Sequence, residues 1–249
     1  MKALCVLQHV EAEYLGLLED HLEGRNVRFR YARPFTAGGS VPAAAAGFDG
    51  LILLGAGPLG VVSGPLLPSL AAELRLARDF LDHGLPVVGF NLGAVLLAVA
   101  AGGGAEEAPL RFQVARATRT ADAVAGTALP AAFPLALYLR DRPLLPAGTT
   151  VMAADESGEP LVFTVRDNAV GFLGHPGMKS GMVEDLVMEF DDTPPDVADE
   201  LERMRAAQSD IAEALGPIMV ALTQMTGWMA ADGENGVIPP AAGTGARAT

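Results

Sequence analysis

Apolar runs and amphipathic stretches alternate along the first hundred residues. Residues 3–8 form a short apolar run that predicts a buried strand. Residues 11–23 carry Tyr14, Leu15, Leu18 and Leu22 at helical spacing, and Gly24 closes the stretch, so a helix is expected there. Residues 27–31 alternate Val27, Phe29 and Tyr31 with Arg28 and Arg30, the pattern of a half-exposed strand. Gly50-Leu51-Ile52-Leu53-Leu54-Gly55 reads as another buried strand and runs into the loop Gly55-Ala56-Gly57-Pro58-Leu59-Gly60. Residues 66–83 place Leu70, Leu74, Ala77 and Leu81 on one helical face. Leu85-Pro86-Val87-Val88-Gly89-Phe90 is a further buried strand, and residues 93–101 are an apolar helix. Strands apolar on both faces, each followed by a helix, predict a parallel sheet covered on both sides.

The second half reads differently. Strands are expected over 110–119, 150–154, 161–165 and 169–173, with Asp167-Asn168 as the hairpin turn between the last two. Pro194-Pro195 marks a boundary, after which helices are expected over 197–215 and 218–229, split at Gly216-Pro217. From about residue 231 the chain is rich in Gly, Pro and Ala, and a disordered tail is expected. The chain thus divides into a domain over 1–192, a helical extension over 193–230 and a tail over 231–249.

Composition narrows the function classes. The 249 residues are half hydrophobic, enough for one α/β domain with an appendage. Lys and Arg number 17 against 30 Asp and Glu, a formal charge of −13, which argues against nucleic acid and anionic membranes as partners. Cys5 stands alone, so an intramolecular disulfide framework is excluded, and on a buried strand it reads as a small core residue. His9, His21, His83 and His175 lie far apart without metal-ligand spacing, so neither a metal centre nor another cofactor is expected. No apolar run reaches the roughly 20 residues of a membrane span, and no signal-peptide pattern is visible. A cytoplasmic location is the expectation.

One segment carries chemistry. In Pro86-Val87-Val88-Gly89-Phe90-Asn91-Leu92-Gly93-Ala94, a buried strand turns through one residue flanked by glycine positions and enters a helix. That is the layout of a nucleophile elbow, where the central side chain stands at a helix N-terminus. Here the chain resembles the class I glutamine amidotransferases, in particular the glutaminase domain of the GMP-synthase type. That family reads Gly-x-Cys-x-Gly-x-Gln, and this chain has Gly89, Asn91, Gly93 and Val95 at those places. The resemblance continues. Leu7-Gln8-His9-Val10 looks like the family's first strand end. Phe48-Asp49-Gly50-Leu51-Ile52-Leu53-Leu54-Gly55 with Gly57-Pro58 looks like its oxyanion-loop segment. Tyr138-Leu139-Arg140-Asp141 falls where "WHGD" would stand, with Asp141 matching, and Gly171-Phe172-Leu173-Gly174-His175-Pro176-Gly177 looks like "GxQFHPE". The fold implied is a flavodoxin-like three-layer α/β sandwich with a central, mainly parallel sheet and a C-terminal helical extension.

The departures from the family pattern bear on function. Asn91 replaces the nucleophilic cysteine, and a neutral amide cannot form a thioester. Gly177 replaces the glutamate that would orient His175. Asn91, His175 and Gly177 are therefore read as remnants of a triad, and no intact catalytic set is expected. If the family geometry persists, Asn91→Cys alone stays nearly inactive, and adding Gly177→Glu helps more than additively. Asn91 can also be explained by backbone conformation alone, since Asn tolerates positive φ. Gly55, Ala56, Gly57, Asn91, Leu92 and His175 are the candidate ligand-binding residues. Arg140 and Asp141 could pair in the altered pocket or in solvent.

The function expected is that of a catalytically degenerate amidotransferase-like protein, a non-hydrolytic subunit, scaffold or regulator of a partner enzyme. The alternatives are an enzyme of another class, or a small-molecule sensor, reusing the pocket around Asn91 and His175. The expected partner is a second copy in a homodimer or a synthase-like protein, with a small amino-acid-like ligand also open. Met178, Met182 and Met188 read as core and interface residues. Met219, Met225, Trp228 and Met229 form either an exposed docking face or a face that packs back on the domain.

Overall fold

The short apolar runs become the middle of a sheet because neither of their faces can be left in water. The computed structural model describes residues 1–120 and 129–229; the expected tail over 231–249 lies outside the described residues. In chain order the elements are β1 (Ala3–Leu7), α1 (Leu18–Glu23), β2 (Arg28–Ala32), β3 (Gly50–Leu53), α2 (Leu70–Asp82), β4 (Val87–Phe90), α3 (Leu92–Ala100) and β5 (Gly104–Glu106). There follow β6 (Arg111–Arg119), β7 (Ala132–Leu139), β8 (Arg142–Leu144), β9 (Thr150–Ala154), β10 (Pro160–Val165), β11 (Ala169–Phe172), α4 (Ser180–Glu189) and α5 (Val197–Thr226).

Nine strands form one sheet in the order β2-β1-β3-β4-β11-β10-β9-β6-β7, and β5 pairs with β8 apart from it. The strands from β2 to β11 run parallel, with Leu4 opposite Gly50, Ile52 opposite Val88 and Val88 opposite Val170. The remaining pairings, from β11 outward to β7, are antiparallel. The parallel half is the covered sheet that the alternating pattern predicts, and the whole is the flavodoxin-like α/β sandwich that the resemblance implies. The parallel strands carry its core, since β3, β4 and β11 are buried along their whole length. Their carboxyl ends point to one edge, where such sheets place ligands.

Several elements differ from the sequence reading: β5, β8 and α4 were not expected, and three further differences have a physical reason. The helix expected over 11–23 is reduced to α1, because Gly16 takes φ +61 and residues 11–17 form an irregular loop. The two helices expected beyond Pro195 are one helix, α5, which continues through Pro217. Proline removes one intrahelical hydrogen bond there, but Leu215, Ile218, Met219 and Leu222 are buried on either side and hold the turn in place. Strand β7 was not expected; it contains Pro134 and lies at the sheet edge, where a missing N–H is tolerated. Met178 and Met182 are buried, whereas Met188 is 83 % exposed. Among the described residues no helix is long and apolar enough to cross a membrane.

Candidate functional site

The turn between β4 and α3 has the elbow geometry. Asn91 sits at φ +49, ψ −121, a conformation that costs a non-glycine residue about 1–3 kcal/mol unless its surroundings enforce it. They do. A Cβ on Gly89 would stand 2.3 Å from the Gly93 carbonyl oxygen, and one on Gly93 would stand 2.0 Å from that of Leu53. The flanking glycines therefore let strand and helix close on each other. The Asn91 N–H donates to the Phe172 carbonyl at 3.0 Å. Its side-chain oxygen accepts from the Tyr138 N–H at 3.2 Å, which fixes the amide orientation and aims Nδ2 the other way.

What Nδ2 meets is a carboxylate. Asn91 Nδ2 donates to Glu13 Oε1 at 2.8 Å, and the Gly57 N–H donates to Glu13 Oε2 at 2.5 Å. Glu13 has no exposed surface. Burial pushes its carboxyl up to about 7, against the opposing pull of the Gly57 and Asn91 donors. The two donors face two different oxygens, an arrangement that suits the ionised form.

The same loop reaches His175 and Gly177. His175 Nε2 donates to the Tyr14 carbonyl at 2.9 Å, and Nδ1 accepts from the Gly177 N–H at 3.2 Å. One nitrogen faces an acceptor and the other a donor, so the ring is the neutral Nε2–H tautomer. Burial holds its pKa down at about 4. The Leu17 N–H donates to the Gly177 carbonyl at 2.9 Å. A Cβ on Gly16 would lie 2.3 Å from that same Gly177 oxygen, and one on Gly177 would lie 2.4 Å from Leu18 Cδ1. Residues 13–18 thus lie directly on Gly57, Asn91, His175 and Gly177. A glutamate at 177 would have to displace the Leu18 side chain, which argues against Gly177→Glu restoring function.

A second buried set supports the loop from below. His9 Nε2 lies 2.6 Å from Glu73 Oε2, and His9 Nδ1 lies 2.9 Å from the Gly55 carbonyl. Both ring nitrogens face acceptors, so both carry protons and His9 is an imidazolium. Burial opposes that charge, but the Glu73 carboxylate outweighs it and holds His9 above its ordinary range; the same pairing overcomes burial to hold Glu73 below its own. Ser69 Oγ donates to the other Glu73 oxygen at 2.5 Å. This pair fixes the carbonyl of Gly55, two residues before the N–H that holds Glu13.

All six candidate ligand-binding residues, Gly55, Ala56, Gly57, Asn91, Leu92 and His175, are buried. The structure joins Gly57 and Asn91 through Glu13 and ties His175 to the same loop. Arg140 and Asp141 do not pair with each other. Arg140 donates to Asp192 at 2.5 Å and to the Pro58 carbonyl at 3.0 Å. Buried Asp141 accepts from the Val61 and Val62 N–H groups at 2.7 and 2.8 Å and so clamps the segment beyond Gly60. Sequence reasoning missed Glu13, hidden in an expected helix, and Glu73. The signal for Glu73 was an acid beside Leu70, Leu74 and Ala77 on an otherwise apolar helix face. Among the described residues no group of three or more His, Cys, Asp or Glu side chains could hold a metal.

The geometry matches known structures in fold. At the level of sequence, no protein-family model and no curated protein matches the chain. A glutamine amidotransferase from Methylobacillus flagellatus is 22% identical over 91% of this chain and 96% of its own, with a TM-score of 0.74. One from Thermotoga maritima is 22% identical over 90% of this chain and 98% of its own, with a TM-score of 0.73. A protein assigned as a GMP synthase subunit, from Thermoplasma acidophilum, is 18% identical over 84% of this chain and 98% of its own, with a TM-score of 0.55. The chain has the glutamine amidotransferase fold. Each of these three proteins is matched over nearly its whole length.

Proposed function

We propose that the chain is a glutamine amidotransferase-like protein without glutaminase activity, acting as a subunit, scaffold or regulator of a partner enzyme. The observation that carries this reading is the seat of Glu13. Its carboxylate lies between the Asn91 amide and the Gly57 N–H, the two groups that the family resemblance makes nucleophile position and oxyanion donor. Hydrolysis of an amide requires a nucleophile, a base to activate it and donors free to receive the developing oxyanion. Asn91 supplies no nucleophile, neutral His175 has both nitrogens engaged by backbone, and the Gly57 donor is already taken. The fold shared with a protein assigned as a GMP synthase subunit supports a synthase-like partner, and the homodimer is the alternative assembly.

The test is a glutaminase assay on homogeneous protein, with a glutamine-like electrophile as covalent probe, and affinity purification from the native source followed by mass spectrometry. No turnover, no label on Asn91 and co-purification of a synthase-like chain are the expected results. Turnover that survives purification, or stoichiometric labelling at Asn91, overturns the reading.

A further inference from the structure

Arg33 and Glu11 carry opposite charges and line the same cleft, of about 310 Å³, yet neither takes part in an ion pair among the described residues. Arg33 directly follows β2, and Gln8 directly follows β1, so the cleft lies at the carboxyl ends of parallel strands. Buried Gln8 sets the two charges relative to each other. Its Nε2 donates to the carbonyls of Val10 and Glu11 at 3.0 and 2.9 Å, and its Oε1 accepts from Arg33 Nε at 2.7 Å. That bond leaves the terminal amino groups of the guanidinium for a ligand. The guanidinium also stands over the Tyr31 ring at 4.8 Å, which steadies it.

Phe35 lines this cleft and an adjoining one of about 250 Å³, walled by Pro34, Leu59, Leu67 and Phe190 with Glu189 among them. Burial first, and the charge of Glu11 second, hold the Glu189 carboxyl above its ordinary range. Glu11 and Glu189 therefore stand in each other's field, and a cation between them relieves the repulsion. The first cleft thus offers a guanidinium fork and the Glu11 carboxylate, the second the Glu189 carboxylate, and the space beside Phe35 is apolar. In volume they suit a ligand at the small end of the usual range of about 300–1,000 Å³.

We propose that these two clefts form one site for a free α-amino acid with an apolar side chain. Its carboxylate is held by Arg33, its ammonium group lies against Glu11 and Glu189, and its side chain enters the cleft beside Phe35. Tyr14 borders both this site and His175, but Arg33, Glu11 and Glu189 make no contact with Asn91 or His175, so the inference stands whether or not that centre hydrolyses glutamine.

Calorimetric titration of the full chain with L-leucine and L-phenylalanine tests it, beside N-acetyl-L-leucine, which lacks the ammonium, and leucine amide, which lacks the carboxylate. At least one amino acid is expected to bind saturably, and both analogues roughly tenfold or more weakly, the loss of one charge-assisted contact. Arg33→Gln weakens the amino acid by the same factor and leaves leucine amide unchanged; Glu11→Gln weakens it and leaves N-acetyl-L-leucine unchanged. Arg33→Lys, which keeps the charge and loses the fork, falls between. Arg33 and Glu11 are exposed, so matching melting curves are expected for all variants. No saturable heat and no rise in melting temperature at about 10 mM of either amino acid overturns the proposal. So does binding that Arg33→Gln and Glu11→Gln leave intact, or analogues that bind as tightly as their parent.

Discussion

Around Asn91 the direction of every hydrogen bond is set by a backbone group, and that decides what a substitution can do. In Asn91→Cys the new thiol would face the Glu13 carboxylate, and His175 would still be tied to Tyr14 and Gly177. A thiolate beside a buried carboxylate is disfavoured. We expect glutamine turnover at least about 100-fold below the ~10 per second of an ordinary enzyme. Gly177→Glu should not rescue it, and should itself lower stability by about 1–3 kcal/mol through overpacking against Leu18. Ordinary turnover by Asn91→Cys alone contradicts the first statement, and ordinary turnover by the double variant contradicts the second. The pH profile tests the buried groups. Glu13 is pushed up to about 7, so the folded chain binds more protons than the unfolded one between about 4.5 and 7, and stability falls as pH rises through that window. His175 is held at about 4, so its contribution is full above 6.5 and is lost as pH falls toward 4. The two trends oppose each other, each on the order of 3 kcal/mol over its window. Denaturant titrations from pH 4 to 8 should show Glu13→Gln losing stability more steeply than wild type on acidification. His175→Gln should lose it more steeply as pH rises from 4.5 to 7. Profiles parallel to wild type for both variants contradict these assignments.

Among the elements, the loop over 11–17 decides the character of the site. Its seating depends on Gly16, where φ is +61 and a Cβ would lie 2.3 Å from the Gly177 oxygen. Gly16→Ala is expected to cost at least about 2 kcal/mol and to speed amide exchange at Leu17, whose N–H bonds Gly177. Gly181→Ala is the control: it lies in α4 with nothing within 4 Å of its Cβ, and should be neutral or stabilise by up to about 1 kcal/mol. Equal losses for the two would mean that Gly16 does not seat the loop. The loop also marks where the sequence stops being legible. The parallel strands, α2, α3 and the elbow follow from local apolar periodicity and glycine spacing, because each buries its own run. Over 11–23, Tyr14, Leu15, Leu18 and Leu22 keep helical spacing, yet Gly16 adopts a left-handed conformation to meet Gly177, a residue from the far end of the domain. Such a contact leaves no local periodicity. Glu13 was equally unreadable, since an acid in an expected surface helix looks solvated, and only the tertiary approach of Gly57 and Asn91 gives it partners. Glu73, by contrast, was readable as a charge on an apolar stripe. Strand β7 was masked by Pro134, which argues against a central strand but not an edge one.

For the molecule as a whole, α5 is the element that separates folding from assembly. Its 30 residues span about 45 Å at 1.5 Å per residue. The side chains of Met204, Ile211, Leu215, Ile218, Met219 and Leu222 are buried, and Glu200 accepts from the Val114 N–H of β6. Trp228, just beyond the helix, is also buried and stands over Gly50 of β3, where a Cβ would come within 2.8 Å of its indole nitrogen. Of the two arrangements open to this face, packing back on the sheet is the one observed; Met229 and Val220 remain as exposed apolar positions. Each large buried aliphatic side chain contributes about 2–5 kcal/mol against truncation to alanine, and a domain of this size is stable by only about 5–15 kcal/mol in total. Deleting the chain from Pro194 onward removes six such side chains and Trp228 together and uncovers the sheet face beneath them. The truncated protein is therefore expected to be insoluble or to lose its cooperative thermal transition, rather than to become a folded chain of lower oligomeric mass. Circular dichroism melting and light scattering on the full-length and truncated proteins distinguish the two outcomes. A truncated protein that melts cooperatively within a few degrees of the parent, at half its mass, would assign α5 to a subunit contact and return its apolar face to assembly.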